Sequence, residues 1–117
     1  MTRALVFDMP VATDFFDLDL RIGTIIAAEP FPEARAPSIK LVIDFGALGQ
    51  RRSSAQLTRR YTPDALVGRQ VVAVTNIGTR RIAGFTSEVL VIGGMPTADD
   101  VVLLHPDAPV PNGTRIG

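Results

Sequence analysis

Cysteine is absent from this 117-residue chain, which excludes a disulfide framework and a thiolate metal site and leaves nothing dependent on an oxidising compartment. Tryptophan is absent too, and the aromatics are six Phe and one Tyr, so a stacking platform for single-stranded bases would have few members. Histidine occurs once: His105, before Pro106 at the end of an apolar stretch with no ligand cluster nearby, reads as structural rather than catalytic. No run approaches membrane-spanning length. Asp8 and Pro10 interrupt the N-terminal apolar residues before they reach signal-peptide length, and no small-residue cleavage pattern follows. A soluble, cytoplasmic protein with no membrane insertion is expected. A GxSxG motif, a phosphate-cradling glycine loop with lysine and metal-ligand spacing are all missing; neither an enzyme nor a bound cofactor or metal is expected.

A net charge of zero conceals an asymmetry. Residues 51–81 hold seven arginines (51, 52, 59, 60, 69, 80 and 81) against one acid, Asp64, so this window carries +6 and the remainder −6. Such a basic segment matters more to a phosphate-bearing partner than the total does. Eleven of the twelve basic residues are arginine, which suits bidentate phosphate contacts, although genomic codon bias gives the same ratio.

The length and the 46% hydrophobic content fit one domain with one core. Alternating or apolar runs bounded by turn residues predict strands at Leu20 to Ala28, Ile39 to Phe45, Gln50 to Leu57, Val71 to Thr75, Val89 to Ile92 and Val101 to Leu104. Ile43 and Val91 read as core. Thr62-Pro63-Asp64 starts a short helix, with Thr62 as its cap, and Gly68 stops it. Three strands, a helix and two strands is the order of the OB-fold; the fold class expected is all-β, a five-stranded OB-fold barrel, with a β-sandwich as the structural alternative. The surplus β segments at the termini are expected to form a homodimer.

Two features carry candidate chemistry. GTRRIAGF at 78–85 lies between two apolar strands, so Arg80 and Arg81 project from a barrel rim beside glycines that permit positive φ, and Ser87 offers a hydroxyl to phosphate or ribose. A solvated hairpin kept soluble by its arginines is the plainer alternative. In SSAQ at 53–56, alternation puts Arg52, Ser54 and Gln56 on one face of the third strand, where small polar side chains leave room for a partner; a polar edge strand has the same composition.

RIGTI at 21–25, PFPEAR at 30–35, SSAQ followed by TRRYTP, and RIAGFTSEVL together make residues 14–117 resemble the tRNA-binding domain family, and within it the chaperone-like CsaA branch. The resemblance implies residues 1–13 as an N-terminal arm and 14–117 as an OB-fold domain with a C-terminal dimerisation extension. It implies a tRNA-facing surface lined by Lys40, Ser54, Asn76, Ser87 and Leu90, with Arg80 and Arg81 on its rim and Arg52 on the same strand face as Ser54. The family pattern follows Asn76 with an aromatic or aliphatic residue and two prolines, whereas Ile77, Gly78 and Thr79 stand here, a looser loop.

Two functions from different classes follow. One is a dimer that binds tRNA by shape and phosphate. The other, implied by the resemblance, is a chaperone-like protein that holds unfolded or export-bound polypeptides beside the SecA-dependent secretion route. An apolar pocket of Ile82, Phe85 and Leu90 flanked by arginines would then hold extended peptide; the plainer expectation is that Ile82 and Leu90 fill the barrel core.

Overall fold

The computed structural model describes residues 11–117. Its elements are α1 (Ala12–Asp17), β1 (Leu20–Pro30), β2 (Ile39–Asp44), β3 (Gln50–Ala55), α2 (Pro63–Leu66), β4 (Gln70–Val74), β5 (Arg80–Ile82), β6 (Phe85–Ser87), β7 (Leu90–Val91), β8 (Gly93–Thr97) and β9 (Asp100–Leu103), with a 3-10 turn over Gly46–Leu48. Most of the arm expected at 1–13 lies outside the described residues; Ala12 and Thr13 open α1.

Period-two burial builds the barrel. In β2, Ile39, Leu41 and Ile43 are buried while Lys40, Val42 and Asp44 are half-buried, the pattern of a strand with one face on a core. β3 follows it with Ser53 and Ala55 inward and Arg52 and Ser54 outward. The antiparallel sheet runs β3-β2-β1-β4-β7. Its open ends meet where Glu88 N donates to Arg52 O at 2.8 Å and Ser54 N donates to Ser87 Oγ at 3.0 Å. The buried Ser53 Oγ donates to Val89 O at 3.0 Å. These bonds seal the free edge of β3 and make the five-stranded barrel of the OB-fold order nearly closed. Inside lie Ile25, Leu41, Ile43, Phe45, Leu66 and Val71, all with no exposed surface, each contributing about 2 kcal/mol of burial. Gly23 is required at the crossing of β1 over this core, because a Cβ there would stand 2.7 Å from both Ile43 Cγ2 and the Phe45 ring.

The long β1 is shared among three partners. Its second half pairs with β2 and its first half with β4, and the C-terminal tail bonds to the first half, with Ile22 N donating to Thr114 O at 2.9 Å and Ile116 N to Leu20 O at 2.9 Å. The tail thereby covers a second apolar layer of Leu20, Ile22, Val72 and Val74 with Val110 and Ile116. This is why β4 reads as continuous apolar sequence: Val71 and Ala73 face the barrel, Val72 and Val74 the tail. The C-terminal residues expected as a dimerisation extension thus pack on their own barrel. No helix among the described residues is long and apolar enough to cross a membrane.

Several local expectations are corrected. Thr62 stands at the N-cap position of α2, but its side chain makes no capping hydrogen bond. Gly93–Thr97, for which the sequence predicts no strand beyond the glycines, forms strand β8, paired with β9, and the last predicted segment begins one residue earlier, at Asp100. Val91 is half-buried in a two-residue strand, not a full core residue.

The β8–β9 hairpin is pinned by two of the window arginines. Arg60 grips the buried Asp100 carboxylate at two points, Nη2 to Oδ2 at 2.8 Å and Nε to Oδ1, while Arg59 Nη1 donates to Asp99 Oδ1 at 2.9 Å. The Arg60 bond holds the Asp100 carboxyl below its ordinary range, and the Thr97 hydroxyl, with Arg59, does the same for Asp99. A carboxyl whose folded pKa is depressed adds stability that is complete above its unfolded pKa of about 4 and is lost as pH falls through the folded value. The melting temperature is therefore expected to fall on acidification below about pH 4, with the amides of β8 and β9 losing exchange protection first. Equal protection of the hairpin at neutral and acid pH would contradict this.

Candidate functional site

The outer face of β1, β2 and β3 carries two cross-strand rows set by register: Ala27, Val42 and Arg52 in one, Glu29, Lys40 and Ser54 in the next. Small alanines floor a cavity of about 480 Å³ lined by Ala27, Glu29, Lys40, Val42, Arg52 and Phe85. Lys40 Nζ lies 4.6 Å from the centroid of the Phe31 ring and 5.4 Å from that of Phe85, and the Arg52 guanidinium carbon 5.3 Å from Phe85. Phe31 and Phe85 meet edge to face with centroids 5.5 Å apart. The rings hold both cations in place by cation–π attraction of about 1 kcal/mol each. Phe31, buried between Pro30 and Pro32, is the member of this cluster that sequence reasoning missed; its flanking prolines fix the chain there. Glu88 was missed as well: its Oε1 accepts the Arg52 amide at 3.0 Å and lies 3.6 Å from Arg52 Nε, so part of that arginine's charge is answered internally.

Ser54, beside Lys40, also lines a neighbouring cavity of about 410 Å³ with Gly78, Arg80, Ile82, Ser87 and Leu90. Leu90 is 50% exposed and Ile82 half-buried, which corrects the expectation that they fill the core; Val89 does so. The trio expected to hold peptide is divided, with Phe85 in the first cavity and Ile82 and Leu90 in the second. Ser87 is buried, and its hydroxyl accepts the Ser54 amide, so its first duty is to close the barrel.

The glycine loop is structured. β5 and β6 form a hairpin with pairs Arg80–Ser87, Arg81–Thr86 and Ile82–Phe85. Arg80 lines the second cavity, whereas Arg81, on the alternate face of the ribbon, donates to Thr86 Oγ1 at 2.9 Å. Among the described residues neither has an acidic partner. Gly78, at φ 79°, leaves open space around its Cα. The two-residue turn Ala83-Gly84 has φ of 46° and 83°, the positive pair of a type I′ turn. Alanine is strained there by about 1 kcal/mol. Ala83→Asn is expected to raise stability by about 0.5–1 kcal/mol in denaturant unfolding; a loss of stability would show that the turn differs.

The fold distributes the arginine window. Arg59 and Arg60 are spent on the β8–β9 hairpin, and Arg69 donates to Ala65 O at 2.8 Å and lies over Tyr61. Lys40, Arg52 and Arg80 remain beside the two cavities, and Arg81 on the rim. Asn76 is turned the other way: its Oδ1 accepts the Asp19 amide and its Nδ2 donates to Asp17 O, each at 2.8 Å. His105 is exposed, with Nδ1 donating to Pro106 O at 2.7 Å.

Residues 20–115 match the family described as "Putative tRNA binding domain". The crystal structure of the chaperone CsaA from Bacillus anthracis str. Ames superposes with a TM-score of 0.89 at 59% identity, over 93% of this chain and 99% of that one. That of the CsaA chaperone from Picrophilus torridus gives 0.85 at 41%, over 93% and 100%. The methionine–tRNA ligase of Methanococcoides burtonii is 35% identical over 109 residues, 93% of this chain; the chain spans only 16% of that ligase. On the match over 20–115 and the likeness to whole CsaA chains, this chain belongs to the tRNA-binding domain family, in its CsaA branch.

Proposed function

We propose that the protein binds tRNA through the outer face of β1, β2 and β3 and the β5–β6 hairpin, as a homodimer presenting two such faces to one folded RNA. The observation that carries this is the adjacency of Lys40, the cross-strand partner of Ser54, Arg52 on the same strand face as Ser54, and Arg80 in the cavity that Ser54 lines. Cations held against aromatic rings and a short polar side chain suit phosphate and ribose hydroxyls more than base edges, as in recognition of structured RNA by shape. α1 favours the dimer: it buries no side chain, and Val11, Phe15, Phe16 and Leu18 are exposed along it, an apolar stripe that a second copy would cover.

A second reading is favoured by one feature. Ile77 and Leu90, each about half exposed, border the Arg80 cavity, an apolar edge that an unfolded or export-bound polypeptide would occupy, as in a chaperone. Titrating labelled tRNA with the intact protein, then competing with an unfolded polypeptide, tests both. RNA binding displaced by polypeptide places both on this face; RNA binding without displacement supports the first alone; polypeptide binding with no RNA binding overturns it.

A further inference from the structure

Both polar ends of the Asn76 side chain are committed inside the molecule, to the Asp19 amide and the Asp17 carbonyl. The preceding residue adds to the same junction, since Thr75 N and Thr75 Oγ1 each donate to Asp19 O at 2.8 Å. Asp19 is in turn held by Arg21 Nε at 2.7 Å, and Arg115 Nη2 donates to Phe16 O at 3.2 Å. These polar bonds, rather than core packing, fix the end of α1, because α1 buries none of its side chains. On its other side Asn76 opens the segment 76–79, whose Gly78 sits at φ 79° in open space and whose last residue hands the chain to Arg80 at the start of β5. A loop with a free glycine at its centre takes its direction from its anchored end.

We infer that Asn76 is a positioning residue: it latches the loop that delivers Arg80 to the end of α1, so the N-terminal helix and the cation beside the Ser54 cavity are mechanically coupled, and Asn76 does not itself contact RNA. The inference rests on the RNA reading of this face. Its consequence is that whatever settles on the exposed apolar side of α1 changes the presentation of Arg80.

The test is a double-mutant cycle on the full chain, with labelled tRNA as the probe. Asn76→Ala is expected to weaken binding about fivefold in the parent and to add nothing further once Arg80 and Arg81 are both alanine. Equal weakening in both backgrounds means that Asn76 contacts RNA directly and overturns the inference, as does no effect in the parent. Amide exchange of Asp19 reads the latch without RNA: protection lost in Asn76→Ala, and partly kept in Asn76→Asp, which retains the acceptor, is the expected result. Unchanged Asp19 exchange in both variants overturns the latch. Parent affinity unmoved by the arginine pair would instead overturn the RNA reading of the loop, with the exchange result still deciding the latch.

Discussion

Aspartate in place of Ile43 is expected to abolish the cooperative thermal transition, leaving a chain that elutes as expanded or aggregated. Ile43 has no exposed surface and packs where β1 carries Gly23, too tightly to admit even a Cβ, so no water can reach a carboxylate there. Losing the side chain costs about 3 kcal/mol and burying an unpaired charge several more, against a total stability of about 5–15 kcal/mol. The neighbouring Val42 faces outward, so Val42→Asp is expected to melt cooperatively near the parent temperature. Because a one-residue slip reverses every side chain of a strand, a folded Ile43→Asp protein would show that the phase of β2 is wrong. The same change at the half-buried Val91 is expected to cost less.

The second large effect concerns RNA. Arg80→Ala is expected to weaken tRNA binding about tenfold, Lys40→Ala similarly, and Arg81→Ala about threefold, all with unchanged melting temperatures for the two exposed arginines. The ranking follows from geometry: Arg80 lines the cavity shared with Ser54, whereas Arg81 bonds Thr86 on the reverse of the ribbon and acts through its field alone. Equal losses at 80 and 81 would mean that the ribbon is read from its edge, and no loss at either would remove the hairpin from the interface.

The barrel was legible where one face of a strand is buried, because alternation is then forced; IKLVID at 39–44 is the clearest instance. β4 was legible only as apolar, since the tail that buries its second face is about 40 residues away in sequence. The β5–β6 hairpin was legible only as the plainer alternative for GTRRIAGF, and its strands not at all: RRI and FTS lack apolar alternation, and its turn uses Ala-Gly where Asn-Gly would have signalled it. α1 escaped notice because its apolar side chains bury nothing within this chain.

The site divides along the same line. Arg52 and Ser54 share an outward face, as their spacing requires, and Lys40 joins them through register. The surplus charge of residues 51–81, however, overstated the interface. Arg59 and Arg60 meet acids 40 residues away, and long-range ion pairs of this kind leave no mark in a linear charge count. Asn76, assigned to the RNA face by family position, spends its amide on the N-terminal segment.

With Lys40, Arg52, Arg80 and Arg81 available, each barrel is expected to neutralise about four phosphates. The affinity of the intact protein for tRNA, measured across a salt series, tests this most directly. With both faces of the dimer on one RNA, about eight phosphates are neutralised, so a fall of about ten-thousandfold between roughly 50 and 200 mM monovalent salt, with a slope reduced by about two when Arg80 is replaced by alanine in both protomers, is the result expected. An affinity that stays flat over that range, or a slope indifferent to Arg80, would contradict a phosphate-reading face built around Ser54.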